Sequence, residues 1–180
     1  MVPFAKASGT LLFRLIFDRM ALWIPLEADH AITNFEYMRS VIAASNGMDR
    51  VRFRTKSAGE TQRIAGLLAK DLAAVSFHDH ALVIALSGDL GGGKTTFVQG
   101  FAKGLGIRDT VQSPTFLIAR NYAFSRGGYA KLIHVDAYRL EHTNEIETVG
   151  WGEWVKDRHA IILVEWAKNI EKLLPKTHFD

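Results

Sequence analysis

Four side chains in this sequence have the types and surroundings needed to handle a polyphosphate and its metal: Lys94, Thr95, Asp136 and Glu165. Lys94 and Thr95 close the run Gly88-Asp89-Leu90-Gly91-Gly92-Gly93-Lys94-Thr95, which fits G-x-x-x-x-G-K-(S/T) and continues into Thr96. Glycines in such a run let backbone N–H groups turn inward around an anion, and a helix starting at the lysine aims its partial positive end at the same point. The lysine then reaches the β- and γ-phosphates of a nucleotide, and the threonine hydroxyl ligates the magnesium that travels with them. Residues 88–96 are therefore read as a site for ATP and Mg2+, the alternative being a glycine-rich turn that binds nothing. Lys94 is expected to serve the phosphates alone, without packing in the core.

Asp136 and Glu165 each close an apolar run, Leu132-Ile133-His134-Val135-Asp136 and Ile161-Ile162-Leu163-Val164-Glu165. Both have the form of a strand that delivers an acid at its carboxyl end, the edge at which ligands lie in doubly wound sheets. A magnesium nucleotide requires two such acids, one for the metal or its water and one to orient or deprotonate the attacking group. The residues alone leave open which acid takes which task. His134 is expected to be a buried, hydrogen-bonded histidine rather than a catalytic one.

The surrounding pattern must place these groups together. The apolar run Ala81-Leu82-Val83-Ile84-Ala85-Leu86 reads as a strand entering the glycine loop. Phe97, Val98, Phe101, Ala102 and Leu105 give the helix leaving it a core face that ends at Gly104 and Gly106. Upstream, Arg50, Arg52, Arg54 and Lys56 alternate with Val51, Phe53 and Thr55, a strand whose basic stripe suits either RNA or a solvated edge. Ser57 with Glu60 forms a capping box for a helix that buries Ile64, Leu67, Leu68 and Leu72. His78, Asp79 and His80 could hold a metal, but adjacent loop residues of this kind are usually solvated.

Downstream, Pro114 fixes one backbone angle, so that Thr115 begins a strand where its hydroxyl could meet a γ-phosphate; ordinary loop chemistry accounts for it equally well. Strands over residues 115–124 and 130–135 are joined by a turn containing Gly127 and Gly128. Asn144 and Glu147 would cap a short helix running to Val149, and a last strand, residues 160–164, leads into a helix over residues 167–174. This succession predicts an α/β fold of the three-layer P-loop NTPase type with a mostly parallel central sheet.

With 180 residues, 48% hydrophobic and 23% charged, the composition suits one α/β domain with a full core. Without cysteine there are neither disulfides nor thiolate zinc sites, which favours the cytoplasm. A net charge of +3 is too mild to argue nucleic-acid binding by itself. Residues 1–47 fit the rest poorly. Their apolar stretch over residues 11–26 is interrupted by Arg14, Asp18 and Arg19, so it is neither a membrane span nor a secretion signal. Leu12, Leu15, Ile16, Met20 and Trp23 fall on one helical face, predicting a short amphipathic helix before Pro25; it lacks the basic face of a membrane-surface helix. The chain thus divides into an appendage, residues 1–47, and a nucleotide-binding domain, residues 48–180, with Met48 as an alternative start.

Taken together, Gly-Asp-Leu-Gly-Gly-Gly-Lys-Thr-Thr from Gly88, Ser-Pro-Thr-Phe from Ser113, His-Val-Asp-Ala-Tyr-Arg-Leu from His134 and Val-Glu-Trp from Val164 resemble the TsaE family over about residues 50–178. That family is the bacterial ATPase subunit that works with TsaB and TsaD proteins to make threonylcarbamoyladenosine in tRNA. The resemblance implies a P-loop ATPase of low intrinsic turnover, with TsaB and TsaD as partners, tRNA as an indirect one, and no membrane. It puts the magnesium-binding threonine on Thr95, the switch-like threonine on Thr115, the catalytic aspartate on Asp136, and the Walker B-type glutamate on Glu165 beside Trp166. Lys94, Asp136 and Glu165 are then the catalytic set, and Thr95 with Glu165 the metal set.

Three departures stand out. Ala167-Lys168 follow Trp166 where the family commonly has Pro-Glu, the family continues with further strand beyond the position of Asp180, and residues 1–47 have no counterpart. The expectation is an ATPase domain truncated at its C-terminal end, the N-terminal part of a longer fused protein. The competing reading is a small-molecule kinase on the same cradle. Such kinases carry an arginine-rich lid, whereas Arg120, Arg126 and Arg139 are scattered. A binding module without turnover would have little use for two acids.

Overall fold

The computed structural model describes residues 55–74 and 79–175, together with the backbone of two strands nearer the N-terminus. In chain order the elements are β1 (Leu12–Phe17), β2 (Met20–Pro25), α1 (Ala58–Leu72), β3 (Leu82–Ser87), α2 (Lys94–Leu105), β4 (Ala119–Arg126), β5 (Tyr129–Asp136), α3 (Asn144–Thr148), α4 (Trp151–Trp154), β6 (Ala160–Glu165) and a 3-10 helix, Ala167–Leu173. Runs rich in Val, Ile and Leu are buried on both faces when they form the parallel centre of a sheet. Here β3, β6 and β5 form that centre, β3 parallel to β6 and β6 parallel to β5. The full order is β2-β1-β3-β6-β5-β4. From β3 to β4 two of the three pairings are parallel, the exception being the β4–β5 hairpin. Its turn uses Gly127 and Gly128, both left-handed at φ 60° and 86°.

Side chains alternate across these strands, so each strand supplies two cores. Leu82, Ile84, Leu86, Leu132, Ile161 and Leu163 pack with Leu68, Phe97 and Phe101 of α1 and α2. Val83, Ala85, Ile133, Val135, Ile162 and Val164 pack on the other face with Ile146, Trp151 and Ile170. The result is the expected three-layer α/β arrangement, with the parallel strands sealed between helical layers. No helix among the described residues is long and apolar enough to cross a membrane.

Residues 11–26 correct the helical reading. Leu12–Phe17 and Met20–Pro25 are strands, with β1 antiparallel to β3 and β2 antiparallel to β1. The short apolar runs set apart by Arg14, Asp18 and Arg19 satisfy helical and strand spacing alike, and as a strand β1 pairs with an edge of β3 that would otherwise be open.

The Ser57 half of the capping box of α1 forms, and Glu60 reaches back one residue past the cap. Ser57 Oγ accepts from the Glu60 amide at 3.2 Å, and Glu60 Oε2 accepts from the Lys56 amide at 2.6 Å. Residues 50–54 of the strand expected before it lie outside the described residues. On α1, Leu68 and Leu72 are buried as expected, but Ala65 and Ala69 are buried while Ile64 and Leu67 are only half covered. The cause is a close crossing with α2. A Cβ added at Gly100 would lie 2.3 Å from the Gln62 backbone, and one at Gly104 would lie 2.4 Å from the Gly66 carbonyl oxygen. Gly100→Ala is therefore expected to destabilise the protein by about 1–3 kcal/mol through overpacking. For a chain of this size that lowers the melting temperature by about 2–4 °C per kcal/mol. An unchanged thermal unfolding curve would contradict so close a crossing.

Three further boundaries shift. The strand expected from Thr115 starts at Ala119, because the Leu117 amide turns back to the Pro114 carbonyl at 2.7 Å and Ile118 is left-handed at φ 64°. The helix after Thr143 has no side-chain cap, from Asn144, Glu147 or any other residue; instead Glu145 Oε1 accepts from the amides of Glu141 at 3.1 Å and His142 at 2.8 Å and so closes the turn that precedes it. The closing helix is 3-10, with non-helical backbone at Ile170.

Candidate active site

Strand register brings the two acids together. Asp136 is the β5 partner of Glu165 on β6, and Glu165 pairs on its other side with Leu86 of β3, two residues before the glycine loop. Both carboxylates are buried, with 4% and 3% exposure. The loop between β3 and α2 turns through left-handed Gly91 and Gly93, at φ 78° and 88°, and Gly93 caps α2. An added Cβ at either would meet nothing within 4 Å, so the backbone angle, not space, requires glycine there. Residues 90–96, Ser113, Thr115, Asp136, Tyr138, Glu165 and Trp166 line one pocket of 340 Å³. A larger hollow of 570 Å³ opens beside Gln62, Gln99 and residues 106–111, but none of the four chemistry-bearing side chains lines it.

Lys94 differs from expectation. It is 4% exposed, its Nζ donating to the carbonyls of Gly88 and Asp89 at 2.8 Å each and lying 3.9 Å above the Trp166 ring. Gly88 and Asp89 thus hold the lysine instead of lining the pocket. Burial pushes the Lys94 pKa below the usual lysine range, opposed by the charges of Glu165, Asp136 and Asp89. Trp166 is itself left-handed at φ 57° and half-buried, with its ring 4.9 Å from that of Tyr138.

The acids have separate partners. Glu165 Oε2 accepts from the Thr95 hydroxyl at 3.0 Å, and Oε1 meets His134 Nε2 at 2.8 Å. His134 is fully buried and hydrogen-bonded, as its position in the strand implied. Asp136 Oδ2 accepts from the hydroxyls of both Ser113 and Thr115, and Oδ1 accepts from the Tyr138 amide at 3.0 Å. Thr115, expected to begin a strand and face a γ-phosphate, thus stands beside the acid and in a turn. Ser113 carried no assigned role in the sequence; its link to Asp136 spans 23 residues, a separation at which local pattern is silent.

The donor set fits magnesium. Mg2+ retains several waters and takes one or two protein oxygens together with substrate phosphates, and the hydrogen-bonded Thr95 hydroxyl and Glu165 carboxylate offer two hard oxygens at the pocket wall. Asp79 and His80 are exposed, His78 lies outside the described residues, and no cluster of three or more His, Cys, Asp or Glu able to hold a metal occurs among the described residues.

The family model described as "Threonylcarbamoyl adenosine biosynthesis protein TsaE" matches residues 55–180, a span that contains every site residue above. The chain is 43% identical over 129 residues to the "tRNA threonylcarbamoyladenosine biosynthesis protein TsaE" of Bacillus subtilis, covering 72% of this chain and 74% of that protein. It is 44% identical over 93 residues to the protein of the same name from Streptomyces coelicolor, covering 51% of this chain and 61% of that one. A third relative of that name, from Borreliella burgdorferi, is 39% identical over 94 residues, with 52% and 66% covered. The chain thus spans less than two thirds of the length of the last two.

Proposed function

Because the chain belongs to the TsaE family, we propose that it is an ATP-binding and ATP-hydrolysing subunit that supports threonylcarbamoyladenosine formation in tRNA, acting on TsaB and TsaD proteins in the cytoplasm. The observation that carries this reading is the convergence of Lys94, Thr95, Asp136 and Glu165 on one pocket at the carboxyl ends of β3, β5 and β6. That is where an α/β sheet binds a nucleotide. The loop amides and the N-terminus of α2 receive the phosphates, and Lys94 moves from the Gly88 and Asp89 carbonyls to meet them. Thr95 and Glu165 are the residues that would hold Mg2+, which when bound supplies positive charge against the phosphate oxygens. Asp136 orients or deprotonates the attacking water, and its bond to Thr115 ties that acid to the turn at residues 115–118.

The arginines speak against a kinase lid. Arg126 donates to the Gly104 carbonyl at 3.1 Å and Arg139 lies 4.3 Å from the Phe116 ring centroid, so both are engaged with the chain's own surface. ATP hydrolysis measured for the chain alone and with TsaB and TsaD proteins tests the reading. Slow turnover alone, stimulated by the pair, is the expected outcome. Efficient phosphoryl transfer to a small metabolite without a protein partner would establish the kinase instead.

A further inference from the structure

We infer that His134 is a positioning residue for the reaction proposed above, and that its Nε2–H fixes the Glu165 carboxylate with Oε2 presented to Thr95 and the metal. The inference rests on that functional reading. His134 and Asp136 lie two residues apart on β5 and so share a face of the sheet with Glu165, their neighbour on β6. The imidazole is 0% exposed, and its Nε2 stands 2.8 Å from Glu165 Oε1. The other carboxylate oxygen, Oε2, takes the Thr95 hydroxyl at 3.0 Å. Each oxygen of Glu165 therefore has one partner, and the plane of the carboxylate is set by both.

The tautomer follows from what surrounds the ring. Nδ1 is buried and has no hydrogen-bond partner among the described residues. A proton on Nδ1 would leave a buried N–H unmade and turn the Nε2 lone pair against a carboxylate oxygen, two costs at once. With the proton on Nε2 the ring donates to Glu165, and only an acceptor is left unpaired. An orphaned acceptor in the core is itself unfavourable, and an apolar side chain of similar size would fill the same space without it. What the imidazole adds at this place is the single donor that holds Oε1. Hydrogen bonds to a ligating carboxylate orient it toward its metal, and their loss typically costs about 10–100-fold in metal affinity.

Three substitutions separate this role from packing. A glutamine amide places its N–H near the position of Nε2, an asparagine amide near Nδ1, and leucine places none. Binding of a non-hydrolysable ATP analogue to the full chain is measured by calorimetry over a magnesium series and again in EDTA, with thermal unfolding as the check on fold. In His134→Leu and His134→Asn the magnesium concentration for half-maximal enhancement of binding should rise by about tenfold or more, whereas His134→Gln should stay within about threefold of the parent. Affinity in EDTA should not change across the series. A parent-like magnesium requirement in His134→Leu overturns the inference, and so does a folded His134→Gln as impaired as His134→Leu, since ring packing would then be the role. If leucine prevents folding, the glutamine and asparagine pair decides by the same criterion. A parent that binds the analogue no better with magnesium than in EDTA overturns the functional reading itself, an outcome visible before any variant is made.

Discussion

Asp136→Asn is expected to lower ATP turnover by about 10²–10⁴-fold, the usual worth of a positioned general base, with nucleotide affinity within about threefold of the parent. The fold should tolerate the change. The Asn carbonyl oxygen can still accept from the Tyr138 amide as Oδ1 does, and the new amide N–H2 faces two hydroxyls, Ser113 and Thr115, that can turn from donating to accepting. What disappears is the carboxylate's capacity to take a proton. Glu165→Gln should differ in kind, raising the magnesium requirement, because its side chain is hydrogen-bonded to Thr95 at the position proposed for the metal. Single-turnover hydrolysis alongside analogue binding separates the two effects. Parent-like hydrolysis in both variants would remove the two-acid assignment.

The parts of this site that could be read from the sequence are those written in local pattern. The glycine run, the helix it opens and the acids that end two apolar strands are all contiguous signals, and strand register then places Asp136 opposite Glu165. The family resemblance implies a catalytic role for Asp136 and a Walker B-type one for Glu165, a division that neither strand pattern carries. The parts that could not be read are long-range or backbone-driven. The Ser113 and Thr115 hydroxyls reach Asp136 from a segment that precedes Ile118, after which β4 begins at Ala119. Ile118 is left-handed, a conformation that a β-branched residue rarely adopts and that no pattern signals. On α1 the small residues Ala65 and Ala69 are buried beside Leu68 and Leu72, on a helix that α2 crosses closely at Gly100 and Gly104, and Ile64 and Leu67, the other two expected core residues, are only half covered. At residues 12–25 the failure was one of period, since the apolar runs at residues 15–17 and 20–24 are too short to separate helical from strand spacing.

Lys94→Ala should weaken ATP binding by about 100-fold, which corresponds to one charge-assisted interaction of roughly 3 kcal/mol. The side chain is not idle without nucleotide, for its ammonium is buried on two loop carbonyls and the Trp166 ring. Yet those contacts are made by a cation whose pKa burial holds below the usual lysine range. A lysine depressed in this way binds its proton less readily folded than unfolded, so while charged it detracts from stability, fully so at pH below its folded pKa. Stability of the parent should gain from this group as pH rises through that lowered value toward the ordinary lysine range, where the unfolded chain alone still holds the proton. Lys94→Met, which restores bulk over Trp166 without the charge, should therefore fold at least as stably as Lys94→Ala and flatten that part of the stability–pH curve, while binding ATP no better. The lysine is thus held where its charge is costly to the fold so that phosphates can draw it out, a trade of stability against function common in binding sites. Analogue titrations and urea unfolding over an alkaline pH series check both halves: an unchanged affinity in either variant sinks the phosphate-loop assignment, and a parent curve as flat as that of Lys94→Met sinks the account of its burial.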